Sequence, residues 1–328
     1  MKKVLIMLAC YNGGKYIGEQ IESIIGQTYS DFELVIQDDG STDETIDIVK
    51  AYCDSDSRIT LRINDTQYHG AFLNFHILAN LYKNANNFDY YMFSDQDDIW
   101  DKNKIETMVQ FLEKNTQDDV PSLVYADMRT IDQNKQMIES SIDNVWKISG
   151  KNKCSYFFSH KVFGCNLMMN AALFNVVPYI NPSDFGVRIL SHDNLYAKFA
   201  ATLGEVYFID EQLMSYRRHG GNQTTEQQYR ISIKRILQRL FGLHRLAEKH
   251  ACAYNQTMYA IKLLRTIELD ADQISFVNDI DFILRHKGFK SLFLINQHKV
   301  KWGGLVENTS HKLIIFLGMH LRFLELND

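Results

Sequence analysis

The stretch Tyr90-Tyr91-Met92-Phe93-Ser94-Asp95-Gln96-Asp97-Asp98 decides how this chain is read. An apolar run of strand length ends on three carboxylates within four residues. Carboxylates this close repel one another and resist desolvation unless positive charge sits among them. A divalent cation that shares its shell with a substrate diphosphate meets that need. Mg²⁺ and Mn²⁺ take hard oxygen donors in small number when phosphates complete the coordination. The bland alternative is a solvated acidic turn at the head of the next helix.

Outward from this run, the first half alternates strand-like and helix-like segments. Lys3–Ala9, Phe32–Gln37, Arg58–Ile63, Tyr90–Phe93 and Ser122–Ala126 read as strands. Tyr16–Gln27 is a helix with Ile17, Ile21, Ile24 and Ile25 on one face. Asp43–Asp54, Ala71–Asn84 and Asn103–Lys114 also read as helices, with Ser41 and Glu44 spaced for a capping box. The alternation predicts an α/β fold, a mostly parallel sheet flanked by helices on both faces. Polar clusters follow three of the strands: Tyr11-Asn12-Gly13, Asp38-Asp39-Gly40-Ser41 and Asp95-Gln96-Asp97-Asp98. Ligands of open α/β sheets bind beyond the carboxyl ends of strands, so the three clusters point to one site. The first turn, Cys10-Tyr11-Asn12-Gly13-Gly14-Lys15, lacks both Gly-x-Gly-x-x-Gly and the Walker pattern. A diphosphate here needs a metal.

A net charge of −5 argues against a nucleic-acid binder. Five cysteines (Cys10, Cys53, Cys154, Cys165, Cys252), odd in number and widely spaced, suit reduced thiols in a cytoplasmic protein. Val4–Cys10 resembles a signal-peptide core but is short and runs straight into Tyr-Asn-Gly-Gly, so a first strand is expected. No stretch approaches the roughly 20 apolar residues of a membrane span.

Tyr11-Asn12-Gly13, Gln27-Thr28, Asp38-Asp39-Gly40-Ser41-x-Asp43 and Ser94-Asp95-Gln96-Asp97-Asp98-Ile99-Trp100 together resemble family 2 glycosyltransferases of the GT-A fold. The last of these is similar to bacterial rhamnosyltransferase-like members that build surface polysaccharides. The resemblance covers roughly residues 1–225, taken as the catalytic domain, with 226–328 as a helical extension for dimerisation or for membrane or acceptor contact. It implies an inverting, metal-dependent transfer from a UDP- or dTDP-linked sugar to a saccharide acceptor, typically lipid-linked.

The resemblance also implies roles. Asp38 and Asp39 lie under the base, one accepting N3–H of uracil or thymine. Asp95 sits near the ribose, Asp97 ligates the metal and Asp98 supports either. Tyr11, Asn12 and Gln96 belong to the donor site. Trp100 walls the sugar pocket or packs in the core. Arg217 and Arg218 neutralise diphosphate charge or form a solvated basic turn. In Ser191-His192-Asp193-Asn194, Asp193 matches the general base. His219 matches a histidine that completes the metal shell, which tilts preference toward Mn²⁺ over Mg²⁺. Gly164-Cys165-Asn166 resembles a glycine-containing segment near donor and acceptor, or is a plain strand pair.

In the tail, Tyr229–His250, Thr257–Glu268, Asp272–Arg285 and His311–Leu326 read as helices. The first of these, and the run Leu313–Leu317 with Lys312, His320 and Arg322, are amphipathic and basic. They suit peripheral contact with an anionic membrane face, or equally well packing on the catalytic domain or in a homodimer. Two other functions are open. A nucleotidyltransferase would want a richer basic loop after the first strand than Lys15 provides. A non-catalytic scaffold would be expected to lack a carboxylate or the base, and all are present.

Overall fold

In the computed structural model the described residues are 1–328 apart from Asn86, Lys151, His160, 221–241 and 325–328. The first half is built as the alternation demands. Strands β1 (Val4–Cys10), β2 (Phe32–Asp38), β3 (Ile59–Ile63) and β4 (Tyr90–Ser94) interleave with helices α1 (Ile17–Ile25), α2 (Thr45–Ser55) and α3 (Ala71–Leu81). Val4 to Leu8 are wholly buried on both faces of β1, as a covered parallel strand requires. Ile17, Ile21 and Ile24 turn the apolar stripe of α1 inward.

The remaining elements are β5 (Ile99–Trp100), α4 (Lys104–Asn115), β6 (Ser122–Ile131), β7 (Met137–Glu139), α5 (Ile142–Trp146), α6 (Ser155–Phe158), β8 (Leu167–Asn170), α7 (Ala171–Val176), α8 (His192–Leu203) and β9 (Glu205–Arg217). One sheet runs β3-β2-β1-β4-β8-β6-β9-β5, with β7 beside β6. The first four strands are parallel; beyond them β8 runs antiparallel to β4 and β6, so the second half is mixed. β5 pairs antiparallel with β9, Ile99 opposite Ser215 and Trp100 opposite Met214. Continued backward, that register brings Asp97 opposite Arg217, and the acidic turn after β4 is thereby laid against the end of β9.

One local expectation fails. Ser41 and Glu44 form no capping box: α2 starts without a side-chain cap, and the Ser41 hydroxyl is drawn instead to Asp38 and to the Asn12 amide. The capping box stands elsewhere, at Asp270 and Gln273.

The tail forms α9 (Leu243–Leu264), α10 (Ala271–Arg285), α11 (Phe289–Gln297) and α12 (Leu305–Leu317). The predicted Thr257–Glu268 helix is the second half of α9, and residues 229–241 of the predicted basic helix lie outside the described residues. The last predicted helix starts at Leu305 and stops at Gly318, whose φ of 70° lets its N–H bond back to Ile314 and Ile315. Tyr254, Met258, Ile261, Val277, Ile280 and Ile295 share one continuous apolar core with the sheet. Within Leu313–Leu317, Ile314 and Ile315 are wholly buried whereas Leu317 is half exposed, so the run is divided between core and surface. No described helix is long and apolar enough to cross a membrane.

Candidate active site

A cavity of about 1070 Å³ opens at the carboxyl ends of β1, β2 and β4. Its wall takes Cys10 at the end of β1 and Tyr11 after it, Asp39 and Gly40 after β2, and Asp95, Gln96 and Asp97 after β4. Phe163, Gly164 and Cys165 close one side, and Ser191, His192 and Asp193 enter from the start of α8. The three polar clusters thus converge.

The loop after β1 is tied down by its neighbours. Asn12, at φ 47°, donates its N–H to Ser41 Oγ (2.8 Å) and accepts from Thr42 N at Oδ1 (2.8 Å). Gly13 N donates to Thr45 Oγ1 (2.8 Å) and Gly14 N to Asp43 Oδ2 (3.0 Å). Gln96 clamps the same loop from the other side: its Oε1 accepts from Tyr11 N (2.9 Å) and its Nε2 donates to Tyr11 O (3.2 Å). The Tyr11 side chain stays exposed at the cavity. Asn12 acts on the loop rather than lining the cavity.

The paired acids after β2 part company. Asp38 is fully buried, and its carboxylate accepts from Gly40 N (2.9 Å), Ser41 N (2.8 Å) and the Ser41 hydroxyl. It shapes the turn and does not reach the cavity, which corrects its expected place under a base. Asp39 does line the cavity, held by Asn64 Nδ2 (2.6 Å), Gly70 N (2.7 Å) and His69 Nδ1 (3.0 Å). Asn64 and His69 carried no signal in the sequence, because their loop reaches Asp39 only through the β2–β3 register.

Two further expectations change. Trp100 is buried under the site, with the Lys104 ammonium 3.8 Å from its ring centroid, and walls no sugar pocket. Arg217 is buried too: Nε donates to Asp97 O (2.8 Å), Nη2 to Glu19 (2.6 Å), and its own N–H to Asp98 Oδ1 (3.0 Å). It braces the acidic turn from behind, off the cavity.

Asp97 and His219 meet directly, Oδ2 to Nε2 at 2.7 Å, with the Tyr16 ring tilted against the imidazole. Burial raises the proton affinity of Asp97, and His219 offsets part of that. Asp95 is pushed up to about 7 by burial, then by Asp97 and Asp193. Asp98 is raised well above the usual carboxylate range by burial, then by Asp97 and Asp95. Such crowding is a deficit of positive charge that a bound cation removes. Asp97 and His219 offer a carboxylate oxygen and an imidazole nitrogen, donor types that a divalent ion accepts, and Asp95 lines the same cavity as Asp97. Among the described residues Asp95, Asp98 and Cys165 also bring donor atoms within 4.8 Å of one another. The Cys165 thiol is driven well above its usual range by burial, then by Asp98 and Asp95.

Asp193 sits in the first turn of α8, its Oδ2 accepting from Gly164 N (3.0 Å) and its Oδ1 from Asn194 N (2.6 Å). Gly164 is therefore part of the wall: a Cβ there would stand 2.1 Å from His192 Nε2. His192 is wedged between the rings of Phe75 (4.0 Å) and Phe93 (4.5 Å). Sequence reasoning missed Gln256 of α9, whose Oε1 accepts from Asn194 Nδ2 (2.8 Å) and which also lines the cavity. It also missed Lys104, buried below the acids with Nζ donating to Cys165 O (2.6 Å) and its proton affinity lowered to about 7 by burial. Neither residue lies in a motif, so only the fold could find them.

This sheet, opening its parallel half onto an acidic cavity, is that of a GT-A glycosyltransferase. Residues 5–175 match the sequence model of glycosyl transferase family 2, and the chain belongs to that family. It is 32% identical over 220 residues to the dTDP-rhamnosyl transferase RfbG of Shigella flexneri, covering 66% of this chain and 73% of that one. It is 30% identical over 224 residues to an uncharacterized glycosyltransferase of Rickettsia typhi, covering 67% of this chain and 65% of the relative. The crystal structure of Staphylococcus aureus TarS 1–349 superposes with a TM-score of 0.53 at 16% identity, covering 98% of this chain and 81% of that one. The same protein in complex with UDP-GlcNAc gives 0.52 at 15% identity, covering 98% and 90%. That likeness shows the fold.

Proposed function

We propose that this glycosyltransferase is inverting and metal-dependent. It moves a sugar from a UDP- or dTDP-linked donor to a saccharide acceptor in surface polysaccharide or glycoconjugate synthesis. The observation that carries the reading is the meeting of Asp39, Asp95, Asp97 and Asp193 on one cavity. Asp39 stands at the end that suits a pyrimidine edge, and the exposed Tyr11 ring offers a stacking face beside it. Asp97 and His219 would hold Mn²⁺ or Mg²⁺, which when bound offsets the charge developing on the diphosphate leaving group.

Asp193 takes the proton of the acceptor hydroxyl as that oxygen bonds to the anomeric carbon. The bond from that carbon to the diphosphate oxygen breaks on the opposite face, and its electron pair leaves with the nucleoside diphosphate. The two backbone N–H groups on Asp193 aim its carboxylate, and the start of α8 sets its distance from Asp95. One base and direct displacement yield inversion, whereas a retaining hydrolase needs a second flanking carboxyl as nucleophile. RfbG is named for dTDP-rhamnose and TarS was crystallised with UDP-GlcNAc, which supports both donor classes. In this reading the acceptor is carried on a lipid and the protein works at the inner face of the cell membrane.

The test is isothermal titration with UDP and with dTDP, each with and without Mn²⁺, on the wild type and on Asp97→Ala. Metal-dependent binding that disappears in the variant is expected, and the tighter nucleotide identifies the donor base. Folded wild-type protein that binds neither nucleotide would overturn the reading.

A further inference from the structure

The tail concentrates positive charge. Between Phe282 and Leu324 stand Arg285, Lys287, Lys290, Lys299, Lys301, Lys312 and Arg322 against the single acid Glu307. Seven cations against one acid give +6, in a chain whose total is −5. Lys287, Lys290, Lys299 and Lys301 are exposed, and none forms an ion pair among the described residues.

Two large apolar side chains stand out of the same segment. Phe289 is 80% exposed and Phe293 64%, one turn apart on the same side of α11. The edge of Phe289 meets Phe316 of α12 (ring centroids 5.1 Å), and Leu317 beside it is half exposed. Lys312 of α12 reaches across to Asn296 of α11 (2.6 Å), so the two helices present one surface. Their inward faces are already used: Leu294, Ile295, Ile314 and Ile315 are buried in the core. The outward phenylalanines are thus not a core left unfilled.

We infer that this face, Phe289 and Phe293 flanked by Lys287, Lys290 and Lys312, docks on the surface of an anionic lipid bilayer. Aromatic rings seat at the boundary between headgroups and acyl chains, and lysines around them are drawn to an anionic leaflet. A second copy of the chain is the poorer occupant. A two-fold contact would set this lysine-ringed face against itself, like charge on like charge. The inference rests on the reading that the acceptor is lipid-borne and names the surface that reading lacked. It overlaps the segment expected from sequence only at its outward side, since Ile314 and Ile315 point inward and Leu317 does not.

The experiment is co-sedimentation of the full chain with vesicles of phosphatidylcholine alone and of phosphatidylcholine with phosphatidylglycerol. Wild type should bind the anionic vesicles, more weakly as salt rises. Phe289→Ser/Phe293→Ser and, separately, Lys287→Gln/Lys290→Gln should each lower that binding by about tenfold or more, with melting curves unchanged. Nucleotide titration on the same samples separates the two proposals. Protein that binds UDP or dTDP but ignores anionic vesicles overturns the surface and leaves the transfer reading intact. Protein that binds vesicles through these residues but no nucleotide upholds the surface and overturns transfer. Equal vesicle binding by wild type and both variants overturns the surface. So does a vesicle-free dimer, seen by sedimentation equilibrium, that the phenylalanine variant abolishes.

Discussion

Gln256, 81 residues beyond the segment 5–175 that matches the family, accepts a hydrogen bond at 2.8 Å from Asn194, the neighbour of Asp193. It also faces Ser191 Oγ at 3.3 Å. The tail therefore holds the start of α8, where the proposed base sits. Gln256→Ala removes an acceptor shared by the buried donors of Asn194 and Ser191, at a cost of about 1–3 kcal/mol. It should lower kcat roughly tenfold through misplacement of Asp193, with UDP affinity kept. Initial rates and calorimetry check this, and an unchanged kcat would show that α8 keeps its aim unaided.

Asp193→Asn keeps an oxygen for the Gly164 amide and removes the base. Transfer should fall by about 10²–10⁴ in kcat while metal-dependent nucleotide binding persists. Residual activity near wild type would assign proton removal to another group.

His219→Gln removes the nitrogen that faces Asp97. The Mn²⁺ concentration for half-maximal nucleotide binding should rise on the order of tenfold or more. An unshifted metal titration would reduce the contact to a plain hydrogen bond.

Gly164→Ala places a methyl against an imidazole that Phe75 and Phe93 keep from swinging aside. Overpacking of this kind costs about 1–3 kcal/mol, to be read from urea unfolding. Equal midpoints for the two proteins would mean that His192 has room to move.

His76, buried in α3 and bonded through Nε2 to Leu190 O (2.9 Å), has its proton affinity lowered from 6.5 to about 4 by burial. The Leu190 bond and Asp193 partly oppose that, and Lys83 adds to it. The unfolded chain binds this proton more readily, so the stabilisation is whole above pH 6.5 and is lost as pH falls toward 4. The loss amounts to about 3 kcal/mol. Asp95, raised to about 7, slopes the other way, so the effect is read as a difference. Between pH 7 and 4.5, wild type should lose more stability than His76→Gln, and parallel curves would exclude His76 as the source.

The parallel half of the sheet was legible because a strand covered on both faces must be apolar throughout, as Val4 to Leu8 are. The convergence of Tyr11, Asp39 and Asp95 followed from strand direction alone. Asp38, Trp100 and Arg217 were misplaced for a shared reason: a motif gives residue order but not which way each side chain turns. All three lie just behind the wall, shaping what Asp39 and Asp97 present. Gln256, His69 and Lys104 were illegible because long-range packing, not local pattern, brings them in. The mixed second half stayed hidden because Leu167–Asn170 is too short to show a period.

The amides of Asn12, Gly13 and Gly14 are already bonded to Ser41, Thr45 and Asp43. A loop so tied has few conformations to surrender when a ligand arrives. The ordering entropy that most binding loops give up on association is here given up during folding. Discrimination at this edge then works by rejection of what does not fit, and affinity differences among donors should appear mainly in how fast they leave.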